Sequence, residues 1–419
     1  MKNFISFTFL SLMIPSFLPS QWIQQTFPTT ETLWKVRFAN EQTGWIAAYN
    51  YIYKTTNGGD GWVKQDTSIG GCDAMYVLND QIGMFANWTG VGELSRGIRR
   101  TTNGGTTWTT ANAEKNYYAD IDFGSTAVGY ACGGSGTAGN KPIVKKTTDA
   151  GATWTTVSQN FPKPKFELTG IAFVDENIGW TVSYDGFVFK TTNGGVDWST
   201  PDSLGSESFR DIEFFNKDTG WVFGGIAGDM VIARTTNGGS SWTKIKKGGG
   251  SLREAESLTS TNVWCAGWND SIIYSTNAGA DWIAQKSDRY GFESLDMVNI
   301  NIGYTVGSSG KVYKTTNGGV TSVSAQRLND SPTSYLVKQN FPNPFNPSTF
   351  IQFSIPEQGY TSLKIHSING ELIEELLHQT IDAGTYSVQW NAQHYSSGVY
   401  FYTLSSGTFS TTKKLVLLK

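Results

Sequence analysis

A chain of 419 residues is too long for one ordinary compact core, unless the fold is repetitive or a large all-β structure. Its 47 glycines and its 14% of aromatic residues favour short strands and tight turns over helices. Only 16% of residues are charged and the formal net charge is -3, so no basic excess exists to neutralise phosphates and nucleic acid is excluded as a partner.

Residues 1–20 read as a signal peptide. Lys2 supplies the positive start, and an apolar stretch runs from Phe4 to Leu18 and ends near Ser20. The stretch is short and interrupted by Pro15 and Pro19, and no later segment is apolar enough to span a bilayer as a helix, so the mature chain is expected to carry no transmembrane span. Three cysteines, Cys72, Cys132 and Cys265, are widely spaced. That is not the dense, even set of a disulfide scaffold, and they are expected to be small buried side chains.

From residue 21 a phrase recurs: Thr-Thr-Asn-Gly-Gly-x-x-Trp. Its copies begin at Thr55, Thr101, Thr147, Thr191, Thr235, Ser275 and Thr315. The third position holds Asn57, Asn103, Asp149, Asn193, Asn237, Asn277 and Asn317, at intervals of 40 to 46 residues. Such a period with strand-like content indicates propeller blades. Ahead of each phrase lies a Gly-aromatic strand such as Gly44-Trp45 or Gly179-Trp180. Ahead of that lies a short alternating run such as Val36-Arg37-Phe38. Each unit thus reads as four strands. Asn or Asp tolerates unusual turn angles, Gly supplies positive φ, and the leading Thr hydroxyl closes the turn.

The first six phrases end on Trp62, Trp108, Trp154, Trp198, Trp242 and Trp282, but the seventh ends on Ser322. The start of the mature chain, Gln21-Trp22-Ile23-Gln24-Gln25, fits the vacant strand. The expected fold is therefore all-β. Residues 21–322 form a seven-bladed β-propeller of four-stranded blades, with the N-terminal strand closing the last blade and removing two exposed sheet edges.

The phrase Ser/Thr-x-Asp/Asn-x-Gly-x-x-Trp resembles the Asp-box, or BNR repeat, of sialidases, xyloglucan-cleaving glycosidases, the sortilin family and photosystem II assembly and stability factors. Seven copies, five of them with Gly-aromatic ahead and two with the variants Gly83-Met84 and Val263-Trp264, resemble the photosystem II factor family above the others. The resemblance implies the propeller and says little about function, because related folds host unrelated activities.

Residues 323–335, rich in Ser, Asn and Thr, read as a linker. Residues 336–419 then open on Asn340-Phe341-Pro342-Asn343-Pro344-Phe345-Asn346-Pro347, whose prolines block helix, and continue as alternating strands of a small Ig-like β-sandwich. Asn369-Gly370 is a hairpin signal. The opening phrase, Ala383-Gly384-Thr385-Tyr386, Ser397-Gly398-Val399-Tyr400-Phe401 and the closing Lys413-Lys414-Leu415-Val416-Leu417-Leu418-Lys419 resemble the type A sorting domain of the type IX secretion system. That resemblance implies passage through the periplasm, handling by the type IX machinery through residues 336–419, and a destination outside the cell or on its surface.

All three histidines, His366, His378 and His394, fall in the C-terminal module. The ring therefore holds no Ser-His-Asp triad and no His-ligated metal, and no phosphate-binding loop is evident, so no cofactor or metal is expected. Sialidases need an arginine triad, a Tyr nucleophile and an early Arg-Ile-Pro, and the last is missing here. What remains is the innermost strand of each blade, which lines an axial funnel. Its candidate binding residues are Arg37, Tyr76, Asp120, Asp122, Arg210, Asp211, Glu213, Arg253, Glu256 and Asp296, with Asp73, Tyr118 and Glu254 beside them. Trp34, Trp88 and Trp268 fall outside the repeat and either stack on sugars or pack between blades. The expected function is a secreted or surface, non-enzymatic propeller that binds a protein or a glycan. A glycoside hydrolase using channel carboxylates is the alternative. A photosystem II factor-like role is implied only by the resemblance.

Overall fold

The computed structural model describes residues 22–418 apart from 88–96, 115, 136–140, 159–160, 162–166, 200–201, 206–207, 227–228, 248–249, 269–271, 287–290, 320–325, 329–331 and 393–394. The signal peptide, Trp88 and Ser322 lie outside the described residues. The chain divides into two units, residues 1–319 and 320–419. Among the described residues there is no α-helix, and no helix is long and apolar enough to cross a membrane.

The first unit is built of seven four-stranded antiparallel sheets. Blades I to VI begin with the inner strands Leu33–Phe38, Ala74–Val77, Tyr117–Phe123, Leu168–Phe173, Phe209–Phe214 and Ser251–Ser257, and each adds its next three strands in chain order. Blade VII takes Phe292–Met297, Gly303–Gly307 and Val312–Thr315, and its outer strand is Ile23–Gln25, with Gln24 opposite Tyr313. The mature N-terminus thus closes the ring, as the missing seventh tryptophan implies. Trp22 is fully buried, donates from Nε1 to Gln285 Oε1 of blade VI at 3.0 Å, and lies against Gly319. The repeat tryptophans Trp62, Trp242 and Trp282 occupy the same place beside Gly59, Gly239 and Gly279.

The repeated phrase is a turn held by side chains. Thr55 Oγ1 donates to Asn57 Oδ1 and accepts the Gly59 amide, while Asn57 Oδ1 accepts the Gly61 amide. In all seven copies the hydroxyl-to-Asx bond is 2.8–3.1 Å. The turn places Gly58 in the left-handed region at φ 64°, and that aims its carbonyl at the preceding blade. There it accepts from Tyr304 Oη at 2.8 Å and Lys314 Nζ at 2.6 Å of blade VII. The same contact recurs around the ring. Lys54 reaches Gly104, Arg100 reaches Ala150, Trp180 and Lys190 reach Gly238, Trp221 reaches Ala278, and Trp264 reaches Gly318. Blade III departs from the pattern, since Tyr130 donates to Glu176 instead.

The apolar clusters lie between blades rather than inside them. Leu33, Val36 and Ile46 of blade I pack with Tyr304, Val306 and Val312 of blade VII, and the other described junctions are built alike. Within a junction the Gly-aromatic ring of one blade stacks on the inner-strand Phe of the next. Tyr304 lies 3.8 Å from Phe38, Tyr130 3.5 Å from Phe173 and Trp180 3.5 Å from Phe214. The repeat tryptophan then meets that Phe edge-on, as Trp62, Trp154, Trp198 and Trp242 do. Cys72, Cys132 and Cys265 are buried free thiols.

The second unit is a sandwich of two four-stranded sheets around Phe345, Trp390, Tyr402 and their aliphatic neighbours. One sheet takes in Gln326–Leu328, which pairs with Gly384–Asn391. Composition alone reads those residues as linker. The opening and closing phrases are joined: Asn343 Oδ1 accepts the Val416 amide at 2.9 Å, and Phe345 exchanges backbone bonds with Val416 and Leu418.

Because Trp22 is a fully buried side chain at the only junction between the two ends of the ring, Trp22→Ala is expected to cost about 3–5 kcal/mol. Urea unfolding of the mature chain checks this, and a change below roughly 1 kcal/mol contradicts the closure.

Candidate functional site

Six of the seven inner strands carry a β-bulge near their start, for example between Leu33 and Lys35 and between Tyr118 and Asp120. The extra residue shifts the alternation by one. Three rings of side chains follow along the axis. Trp34, Thr169, Arg210, Arg253 and Glu293 sit at the bulges and line a small cavity of ≈ 80 Å³, together with Asp73 and Tyr117. Arg37, Tyr76, Asp122, Glu213, Glu256 and Asp296 line a larger cavity of ≈ 300 Å³. Asp120, Asp211 and Glu254 border both. The ten candidate residues therefore face the axis, but they divide between two mouths, with Arg210 and Arg253 apart from the rest. Tyr118 does not belong to either mouth. It is buried and bonded to Asn112 and Asn116, because the bulge sends Tyr117 to the channel in its place.

Most of the channel carboxylates have structural work. Inner strands of neighbouring blades are not paired as a sheet, so their facing amides need acceptors. Asp120 and Asp122 of blade III accept the amides of Ile171 and Phe173 of blade IV at 3.0 and 2.6 Å. Asp211 accepts Ala255, Glu254 accepts Leu295, and Asp296 accepts Phe38 across the closing junction, at 2.7, 3.0 and 2.9 Å. Ser294 does the same for Val36 at 3.1 Å. Glu213 and Glu256 receive no such bond from a neighbouring blade among the described residues.

Charge in the wide mouth is unbalanced. Lys35 and Arg37 both pair with Glu254. Burial alone would raise the Glu254 carboxyl, but the two cations hold it down to about 2. The other acids lack such partners. Burial, with neighbouring carboxylates, pushes Asp122 and Asp211 up to about 7 and Glu256 to about 8, and raises Glu213 well above the usual range. Asp296 rises to about 6 for the same first reason, with Arg37 pulling it back. No group of three or more His, Cys, Asp or Glu side chains converges in a metal-holding arrangement among the described residues.

The narrow mouth differs. The Arg253 guanidinium lies over Trp268 with 3.7 Å to the ring centroid, and that of Arg210 lies over Tyr184 at 4.8 Å. Trp268 donates from Nε1 to Glu293 at 2.8 Å and is 43% exposed, so it forms part of the rim. Trp34 lines the cavity itself. Lys35 lines the cavity by alternation with Arg37, whereas Trp34, Tyr117, Thr169 and Glu293 join the site only through the bulge, which strict alternation does not reveal.

Two stretches match known families. Residues 339–418 match the secretion system C-terminal sorting domain, and residues 162–285 match the photosynthesis system II assembly factor YCF48. No curated protein matches the chain. Among solved structures, YCF48 bound to a D1 peptide aligns with TM-score 0.55 and 17% identity over 71% of this chain and 97% of its own. YCF48 from Cyanidioschyzon merolae aligns with TM-score 0.54 and 15% identity over 70% and 98%. The GH74 xyloglucanase from Xanthomonas campestris aligns with TM-score 0.56 and 12% identity over 80% of this chain and 60% of its own. At these identities the likeness is one of fold. The chain is thus a seven-bladed propeller of the YCF48 and GH74 type followed by a sorting domain of type IX secretion, which directs it to the cell surface or the medium.

The raised carboxyls bind more protons in the folded than in the unfolded chain between about pH 4 and 8, so they lose stability as pH rises through that window. Glu254 acts oppositely and loses its contribution as pH falls below about 4.5 towards 2. The melting temperature is therefore expected to be highest near pH 5. Glu256→Gln is expected to raise it at pH 8 by roughly 2–4 °C and to leave it unchanged at pH 5. Thermal unfolding across pH checks both.

Proposed function

We propose that the chain is an exported, non-enzymatic binding module whose wide channel mouth receives a basic segment of a partner protein. The observation that carries this reading is the ≈ 300 Å³ cavity walled by Asp122, Glu213, Glu256 and Asp296, with its one lining cation already paired to Glu254. A Lys or Arg side chain entering it meets uncompensated negative charge in a partly desolvated site, where a charge pair is worth more than at an open surface. YCF48 bound to a D1 peptide is a precedent for a propeller of this shape holding a peptide. A role at photosystem II does not follow, because the sorting domain takes this chain outside the cell.

Glycosidic hydrolysis is the second reading, favoured by the two carboxyls, Glu213 and Glu256, that the ring does not use. It needs one carboxyl protonated and the other ionised at the same pH. Here burial raises both, Glu256 raises Glu213 further and Asp296 raises Glu256, which argues for a shared charge sink over an acid and base pair.

A lysine-rich decapeptide is expected to bind the mature chain more tightly at pH 8 than at pH 5, because the carboxyls lose their protons in that range. The double variant Glu213→Gln, Glu256→Gln is expected to weaken binding roughly tenfold or more at pH 8. Calorimetric titration measures both. Unchanged affinity in the double variant, or release of reducing sugar from a soluble glucan, contradicts the reading. Deleting residues 336–419 is expected to retain the propeller in the periplasm, which fractionation and immunoblotting read directly.

A further inference from the structure

The narrow mouth differs from the wide one in holding two arginines, Arg210 and Arg253, among its acids. Arg210 and Arg253 stand at equivalent bulge positions on the inner strands of adjacent blades V and VI, and both line the ≈ 80 Å³ cavity. Each guanidinium lies over an aromatic ring, Arg210 at 4.8 Å from the Tyr184 centroid and Arg253 at 3.7 Å from that of Trp268. The Nε of each is buried with no hydrogen-bond acceptor. Glu293 approaches Arg253 only at 3.6 Å and is already bonded to Trp268 at 2.8 Å. No acid lies within ion-pair distance of Arg210 among the described residues. Burial lowers the Arg253 pKa, Glu293 raises it in part and the neighbouring Arg210 lowers it again, so two partly desolvated cations stand side by side. Such a pair is stabilised by one shared anion.

We propose that the narrow mouth is a separate binding site for the carboxylate of an acidic sugar, held between Arg210 and Arg253. The cavity is smaller than the wide one, ≈ 80 against ≈ 300 Å³, and has room for a carboxylate group. Asp73 and Glu293 line the same cavity and repel a doubly charged phosphate or sulfate more strongly than a singly charged carboxylate. The same two acids, with Thr169, accept or share hydroxyl protons. A uronic acid carries the ring oxygen on the carbon next to its carboxylate and hydroxyls farther round the ring, and an acidic peptide side chain has neither. Trp34 in the wall and exposed Trp268 at the rim supply apolar faces for the remainder of the ring. This site is independent of peptide binding at the wide mouth.

Calorimetric titration of the mature full-length chain with trigalacturonate, and with its methyl ester, tests the assignment. The ester keeps ring and hydroxyls and removes the charge. Trigalacturonate is expected to bind roughly tenfold or more tightly than the ester, and Arg210→Gln and Arg253→Gln are each expected to weaken it roughly tenfold, with melting temperatures close to that of the parent. Arg210→Lys, which keeps charge but not the fork, is expected to recover part of the loss. Glu213→Gln, Glu256→Gln is expected to leave trigalacturonate binding unchanged, which separates this site from the peptide mouth. No binding, equal affinity for acid and ester, an unaffected Arg210→Gln variant, or tighter binding of a glutamate-rich peptide overturns the proposal.

Discussion

At six of its seven junctions the propeller depends on one backbone carbonyl of the repeated turn. The turn bends residue 58 and its equivalents into the left-handed region, and the carbonyl exposed there accepts a Trp or Tyr proton, a Lys or Arg proton, or both, from the preceding blade. A turn that only closed its own hairpin would need no fixed partner outside it. This one joins hairpin geometry to blade-to-blade geometry, so each blade positions the next. The aromatic that donates the bond also stacks on the next blade's inner Phe, and that Phe receives the repeat tryptophan edge-on. One hydrogen bond therefore sets the placement of three rings, and the buried apolar area lies where blades meet.

The same demand shapes the channel. Inner strands of neighbouring blades are too splayed to pair, and their amides still need acceptors in a partly dry environment. Asp120, Asp122, Asp211, Glu254 and Asp296 meet that need. Acid residues used as structural acceptors leave a surplus of negative charge, because only Lys35 and Arg37 enter to offset it and both go to Glu254. The surplus charge of the wide mouth is thus in part a by-product of how the ring is held, and Glu213 and Glu256 add to it. The narrow mouth, one bulge away, shares Asp120, Asp211 and Glu254 with the wide one and adds Arg210 and Arg253, which the ring does not need for that purpose.

Much of this was legible in the sequence, for physical reasons. A period of 40 to 46 residues with a turn phrase at each step specifies blades, and the absent tryptophan at Ser322 paired with Trp22 specifies closure. The inner-strand acids were legible as channel residues because alternation along a strand is strict. It fails where a bulge inserts a residue, so Tyr118 reads as a channel residue and Tyr117 takes its place. Nor does composition reveal that Gln326–Leu328, in a Ser- and Asn-rich stretch, finds a strand partner about sixty residues later. Which carboxylates are spent on neighbouring amides was not legible at all, because those partners belong to other blades and are as far as 258 residues away in the chain.

The central claim is that carbonyl contacts and the N-terminal strand make the seven sheets one cooperative ring. Native-state hydrogen exchange, resolved blade by blade in the mature chain at low denaturant, measures this most directly. If the ring is closed as described, the slowest amides of all seven sheets, including Ile23–Gln25 against Val312–Thr315, exchange through one common opening with the same free energy and denaturant dependence. Separate openings for individual blades, or fast exchange of the amides that face Ile23–Gln25, would contradict it.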